Sequence, residues 1–149
     1  METADSGQRL AALAAIQAPG SYLLVLRTTT PLTLPVGRLG RRHFPPGWHV
    51  YVGSARRGLG ARLAHHLRPL SRPHWHIDTL RSHATLVEVW ALLGRERYEC
   101  ALAAQLTGLP GAGLAAGFGS SDCRCPGHLV SFSARPALET LGGGPVRLA

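Results

Sequence analysis

Arg62 and His66 stand four residues apart in the stretch 59–68, so on a helix both side chains share a face and can reach one ligand. Just upstream, Tyr51 closes a β-type run, and Gly53 leaves no side chain to block a group approaching the backbone. Together with Ser54 at the turn, residues 48–68 offer a phenol, a guanidinium, an imidazole and a bare glycine in one strand, turn and helix. That set suits the handling of phosphate, because guanidinium and imidazolium groups give charge-assisted hydrogen bonds to phosphate oxygens. A plain strand, a turn and a surface helix carrying arginine fit the same local pattern.

Two other clusters carry chemistry. His74-Trp75-His76-Ile77-Asp78 has the form His-x-His-x-Asp, in which an extended chain would offer both imidazoles to one metal ion. Such sites recruit further ligands later in the chain, and only His83 and His128 are available, so a phosphate contact from His74 or His76, or structural hydrogen bonding, competes. Cys123, Cys125 and His128, with Cys100 as a fourth, form a zinc-type set with tighter spacing than common zinc fingers. Buried thiols packing the loop compete with zinc there. Among the acids, Glu88 alternates within a strand pattern and Glu96 opens a helix where its charge suits the dipole, so ordinary structural roles suffice for both.

The elements that must position these residues follow from periodicity and breakers. Residues 1–18 read as a capping helix ended by Pro19-Gly20. Strands are expected at 22–27 and 48–52, with 33–36 as a short edge strand beside the first and 37–47 as a basic loop carrying Arg38, Arg41, Arg42 and His43. A helix then carries Leu59, Leu63 and Leu67 on its apolar face and ends at Pro69. A short helix at 74–81, a strand at 86–92, a helix at 95–106, a loop at 117–126, a strand at 128–132 and a terminal helix at 134–141 complete the order. This is an α/β pattern with a small, mainly antiparallel central sheet flanked by helices.

At 149 residues the chain fits one domain and one site. The net charge is +8, and all basic residues are arginines. GC-rich codon usage explains the preference for arginine over lysine as well as phosphate binding does, but the excess itself favours a nucleic-acid partner. Three cysteines are too few for a disulfide scaffold and agree with a reducing compartment. No segment is long and apolar enough to span a membrane, and the start of the chain lacks the basic leader of a signal peptide. The cytoplasm is the expected location.

The segments "GSYLLVL", "GWHVYVGSA", "HWHID", "YECALA" and "GFGSSDCRCPGHL" stand in order along residues 18–133 and together resemble the GIY-YIG nuclease superfamily, in particular its Uri-type branch of stand-alone endonuclease domains. Gly20-Ser21-Tyr22 corresponds to the first motif and Tyr51-Val52-Gly53 to the second, with Arg62 and His66 on the following helix and Glu99 on a later one. The resemblance implies phosphodiester hydrolysis in nucleic acid, with DNA favoured over RNA. By it, Glu99 is the one protein ligand of Mg2+ or Mn2+, Arg62 steadies charge on phosphate, and Tyr22 or Tyr51 orients or deprotonates water with a share for His66. A phenol is a poor base at neutral pH unless a cation lowers its pKa. A nucleic-acid-binding module that keeps the scaffold without turnover is the alternative.

The chain departs from the family pattern in three ways. Ser21 takes an apolar position, the span from Tyr22 to Tyr51 is long, and asparagine is absent altogether. The extra residues are expected to form an arginine-bearing loop over the substrate groove, and Ser120, Ser121 or Asp122 to replace the late asparagine of the module.

Overall fold

A computed structural model describes residues 16–55, 58–67, 76–94, 98–118 and 127–148. Residues 20–28 are almost continuously apolar, which suits a strand covered on both faces. They form β1 (Gly20–Thr28), buried at all but one position. β1 lies in the middle of a six-stranded sheet, between β4 (Gly47–Ala55) and β5 (Thr85–Leu93), with antiparallel pairing to both. Outside β4 lie β7 (Leu129–Phe132) and then β6 (Gly113–Leu114), and outside β5 lies β8 (Val146–Arg147). All these pairings are antiparallel, so the structure is the expected small α/β domain with an antiparallel central sheet.

Alternation along the strands gives the sheet two apolar faces. Tyr22, Leu24, Leu26, Tyr51, Val89 and Ala91 point to one face, which is covered by α1 (Leu59–Leu67) through Leu59 and Leu63 and by α2 (His76–Arg81) through Ile77 and Leu80. Leu23, Val25, Val50, Val52, Trp90 and Val130 point to the other. That face is covered by α3 (Glu99–Thr107), whose Leu102, Ala103 and Leu106 recur at helical spacing.

The region between β1 and β4 differs from its expected form. Residues 33–36 do not pair with β1. Instead β2 (Leu32–Pro35) pairs with β3 (Arg41–Phe44) in a separate two-stranded sheet, joined by the short 3-10 turn Gly37–Leu39. The predicted basic loop is therefore half strand, with Phe44 alternating inward into the core while Arg41 and His43 face solvent. β1 already has two partners, so it has no free edge to offer.

The expected terminal helix at 134–141 is a single 3-10 turn, Leu138–Thr140, which buries Leu138 and Leu141 against the α3 face. Pro136 interrupts the run, and burial of two leucines needs no more than that turn. The N-terminal helix lies outside the described residues up to position 15, and 16–19 are not helical. They do cap a helix: the carbonyls of Ala18 and Ile16 accept from the N–H groups of Leu59 and Gly60, which the first turn of α1 leaves without intrahelical partners. Residues 95–97 and 74–75, the expected starts of α3 and α2, and 119–126, most of the expected late loop, lie outside the described residues. Within the described residues no helix is long and apolar enough to cross a membrane.

Candidate active site on the α1 face of the sheet

Tyr22 and Gly53 face each other in register across β1 and β4. A Cβ built on Gly53 would overlap the Cζ and hydroxyl oxygen of Tyr22. Gly53 is thus not the turn residue its sequence context suggested, since β4 continues to Ala55 and the backbone of Gly53 needs no positive φ. It is the space in which the phenol of Tyr22 lies. Gly20 serves a similar purpose at the start of β1, where a Cβ would come within 2.8 Å of Leu59 Cδ1 and of the Leu92 carbonyl oxygen.

Capped by residues 16 and 18, α1 is held over this face and carries His66 inward. His66 Nε2 lies 2.8 Å from the Tyr22 hydroxyl, and both residues are buried, at 0% and 1% exposure. The His66 ring also packs against both tyrosines, with centroid distances of 5.3 Å to Tyr22 and 6.3 Å to Tyr51. Arg62 hydrogen-bonds the phenol from one helical turn earlier.

Burial decides the charge states. It raises the pKa of Tyr22 well above the usual phenol value, Tyr51 adds to the rise, and Arg62 opposes it without reversing it. Burial likewise lowers His66 to about 3, against the opposing pull of Asp78 and with the help of His65, Arg62 and Arg81. At neutral pH the phenol is protonated and the imidazole neutral. The phenol oxygen accepts from Arg62, so its own proton is donated to His66 Nε2, which assigns the ring proton to Nδ1.

His65 and Asp78 continue the cluster. Asp78 lies in the first turn of α2, wholly buried, with its two oxygens 3.2 and 3.3 Å from His65 Nε2. His65, His66 and Asp78 each offer a ligand atom within 4.8 Å of the others, close enough to raise the question of a metal ion. His66 Nε2 is engaged by Tyr22 and His65 Nε2 by Asp78, so an ion held by those two atoms would displace both bonds.

Glu99 occupies a different place. It opens α3, where its charge suits the helix dipole, and shares the buried stripe of Leu102, Ala103 and Leu106 that packs on the far face of the sheet. There its charge acts on His128, whose Nε2 is 3.8 Å from Cys100 Sγ. The Tyr98 N–H donates to Ser21 Oγ at 3.2 Å, so the start of α3 is tied to the residue next to Tyr22. Glu99 and Tyr22 therefore sit at the same end of the sheet on opposite faces. A carboxylate is the oxygen donor a Mg2+ or Mn2+ ion takes, and Glu99, buried at the start of α3, offers one.

The remaining candidates divide. Ser54 is half-buried opposite Ser21, on the face away from Tyr22. Arg38 and Arg41 are exposed and Arg42 is half-buried, on a hairpin whose Leu34, Val36 and Phe44 pack into the core under α1 and α2. A Cβ on Gly37 would lie 3.4 Å from His76 Nε2, so the turn of this hairpin abuts the start of α2. His76 itself is half-buried against Phe118, with its pKa lowered by burial. His74, Cys123 and Cys125 lie outside the described residues. Cys100 is disulfide-bonded, which removes it as a fourth thiolate for zinc. His65 is the residue to which sequence reasoning gave no role, and Asp78 entered it only as the acid of the His-x-His-x-Asp motif. The doubled histidine on α1 was the available signal, but which of the two turns inward depends on how the helix is seated.

A family model described as "Domain of unknown function DUF123" matches residues 21–142. No curated protein and no solved structure matches the chain. The matched span runs from the residue before Tyr22 to the residue after Leu141, and so takes in β1, the hairpin, the α1 face and α3. The chain belongs to the DUF123 family.

Proposed function

We propose that the protein is a divalent-metal-dependent endonuclease of the GIY-YIG type that hydrolyses phosphodiester bonds in nucleic acid, with DNA the favoured polymer. The observation that carries this reading is the bond between the buried Tyr22 hydroxyl and His66 Nε2, with Arg62 on the same phenol oxygen. It supports the reading because the two tripeptide motifs meet there, Gly53 making room for Tyr22, and because a guanidinium held by a buried phenol is already oriented for a phosphate.

The residues divide the work as follows. Arg62, half-buried on α1, binds the scissile phosphate and offsets the charge that develops on it. Tyr22 and His66 hold Arg62 in place, since a protonated phenol and an imidazole of pKa about 3 are weak bases. Arg38, Arg41 and Arg42 on the hairpin bind neighbouring phosphates. Glu99 would hold the Mg2+ or Mn2+ ion, which supplies Lewis-acid polarisation of the phosphate when bound.

Incubation of the full chain with labelled single- and double-stranded DNA and RNA, with Mg2+, Mn2+ or chelator, tests the proposal. Metal-dependent cleavage that falls by about 100-fold or more in Arg62→Ala and in Glu99→Ala is expected. Cleavage unchanged in both variants would sink the site assignment. The placement of Glu99 across the sheet from Tyr22 favours one second reading, a binding module that keeps the scaffold without turnover. Tight binding without cleavage under every metal condition would favour that reading.

A further inference from the structure

The hydrogen-bonded cluster on the α1 face ends at a ring that solvent reaches. His65 keeps 33% of its side chain exposed, while Asp78 behind it is wholly buried. The carboxylate straddles the ring nitrogen Nε2 at 3.2 and 3.3 Å, so the neutral ring holds its proton on Nε2, donated to Asp78, and its basic lone pair on Nδ1. His65 also follows Arg62 by three residues, which puts the two on one face of α1. The fold turns His66 inward to Tyr22, which Arg62 also bonds, and leaves His65 part-exposed on the same helix.

We infer that Asp78 and His65 form the proton-accepting dyad of the site, His65 Nδ1 taking the proton of the attacking water and Asp78 fixing the ring and stabilising the imidazolium. The inference rests on the nuclease reading above. In the step, the water oxygen bonds to phosphorus as the bond from phosphorus to the leaving sugar oxygen breaks. The water's proton passes to Nδ1, the leaving oxygen takes a proton from solvent water, and His65 returns its proton to solvent.

The other candidate bases are poorly suited. Tyr22 and His66 are buried out of reach of substrate, the phenol firmly protonated and the imidazole weakly basic. Around the pair stand His66 and Arg62 on α1 and Arg81 on α2, all acting within the same local field as Asp78. Asp78 fixes the ring through Nε2 and supplies the carboxylate that stabilises the imidazolium once the proton is taken.

The experiment uses the full chain with whichever metal and polymer it cleaves. His65→Gln is expected to lower kcat by about 100-fold or more with KM nearly unchanged, and to abolish the acid limb of the pH–rate profile while the melting curve stays in place. Asp78→Asn is expected to move that limb to lower pH. Added imidazole is expected to restore rate to His65→Gly in a concentration-dependent way, and this arm decides the matter if Asp78→Asn fails to fold. His65→Gln within about threefold of the parent rate, with the same pH profile, overturns the dyad and leaves the nuclease reading intact. Failure of the parent protein to cleave any polymer overturns the nuclease reading, and the dyad with it.

Discussion

Gly53 and Tyr22 meet because they are register partners on adjacent strands, and the requirement at position 53 is space rather than backbone freedom. Gly53→Ala should cost about 1–3 kcal/mol, because a buried ring between two strands has little room to move. Urea unfolding gives the loss, and a shift of the His66 ring resonances reports the broken contact. Burial of histidines also sets a pH dependence. His49 is wholly buried between Thr28 Oγ1 at 2.9 Å and Ser131 Oγ at 2.7 Å, and burial lowers its pKa to about 4. Below the unfolded-state value of about 6.5 the unfolded chain takes up a proton that the folded chain refuses, so stability falls as pH drops from there towards 4. The shift corresponds to about 3 kcal/mol for His49, and His66 adds a loss of the same sign. Unfolding midpoints measured from pH 7 to pH 4 should fall steadily, and His49→Gln should flatten part of that slope.

At the level of elements, the β2–β3 hairpin converts a stretch of arginines into a presented edge. Its apolar residues anchor it on the α1 and α2 side of the sheet, while Arg38 and Arg41 remain in solvent. If these bind phosphates, Arg38→Ala with Arg41→Ala should lower the log–log salt dependence of nucleic-acid binding by about two, close to one per lost contact, without changing sequence preference. Filter binding between 50 and 200 mM salt is the measure. On the other side of the sheet, Arg135 clamps the segment after β7 to β5 through Glu88, with N–O distances of 2.8 and 2.9 Å, and Trp90 Nε1 donates to the same carboxylate at 3.0 Å. The Arg135 hydrogen bonds hold Glu88 below the usual carboxylate range despite its burial. Arg135 is itself about a third exposed, so Arg135→Ala should cost roughly 1–3 kcal/mol, less than a fully buried pair would. Thermal melts would show it.

For the whole molecule, one antiparallel sheet separates two chemical faces. The tyrosines, His66, Arg62, His65 and Asp78 share the face under α1 and α2, and Glu99 with His128 lies under α3. The two sets are linked at the end of β1, where Ser21 receives the Tyr98 N–H next to Tyr22. If Glu99 holds a metal ion, Mg2+ or Mn2+ at a hundredfold excess over Kd should stabilise the protein by about 2.7 kcal/mol, and Glu99→Ala should abolish that gain. Denaturant unfolding with and without metal reads this apart from any activity. A gain that survives in Glu99→Ala would place the ion elsewhere.

The sequence by itself determined the α/β order, the strands at β1, β4, β5 and β7, the helices α1 to α3, and the grouping of Tyr51, Arg62 and His66 in one strand, turn and helix. Each of these rests on local information: apolar alternation, helical spacing, or breakers such as Pro19 and Pro69. Only the tertiary structure decided matters that depend on which surfaces meet. It gave Gly53 the task of housing a phenol, turned His66 inward and His65 outward, and brought Asp78 from thirteen residues away onto His65. It also paired β2 with β3 rather than with β1, and put Glu99 across the sheet from Tyr22. Strand register, helix seating and burial are sums over contacts distant in the chain, and burial in particular sets which groups are charged.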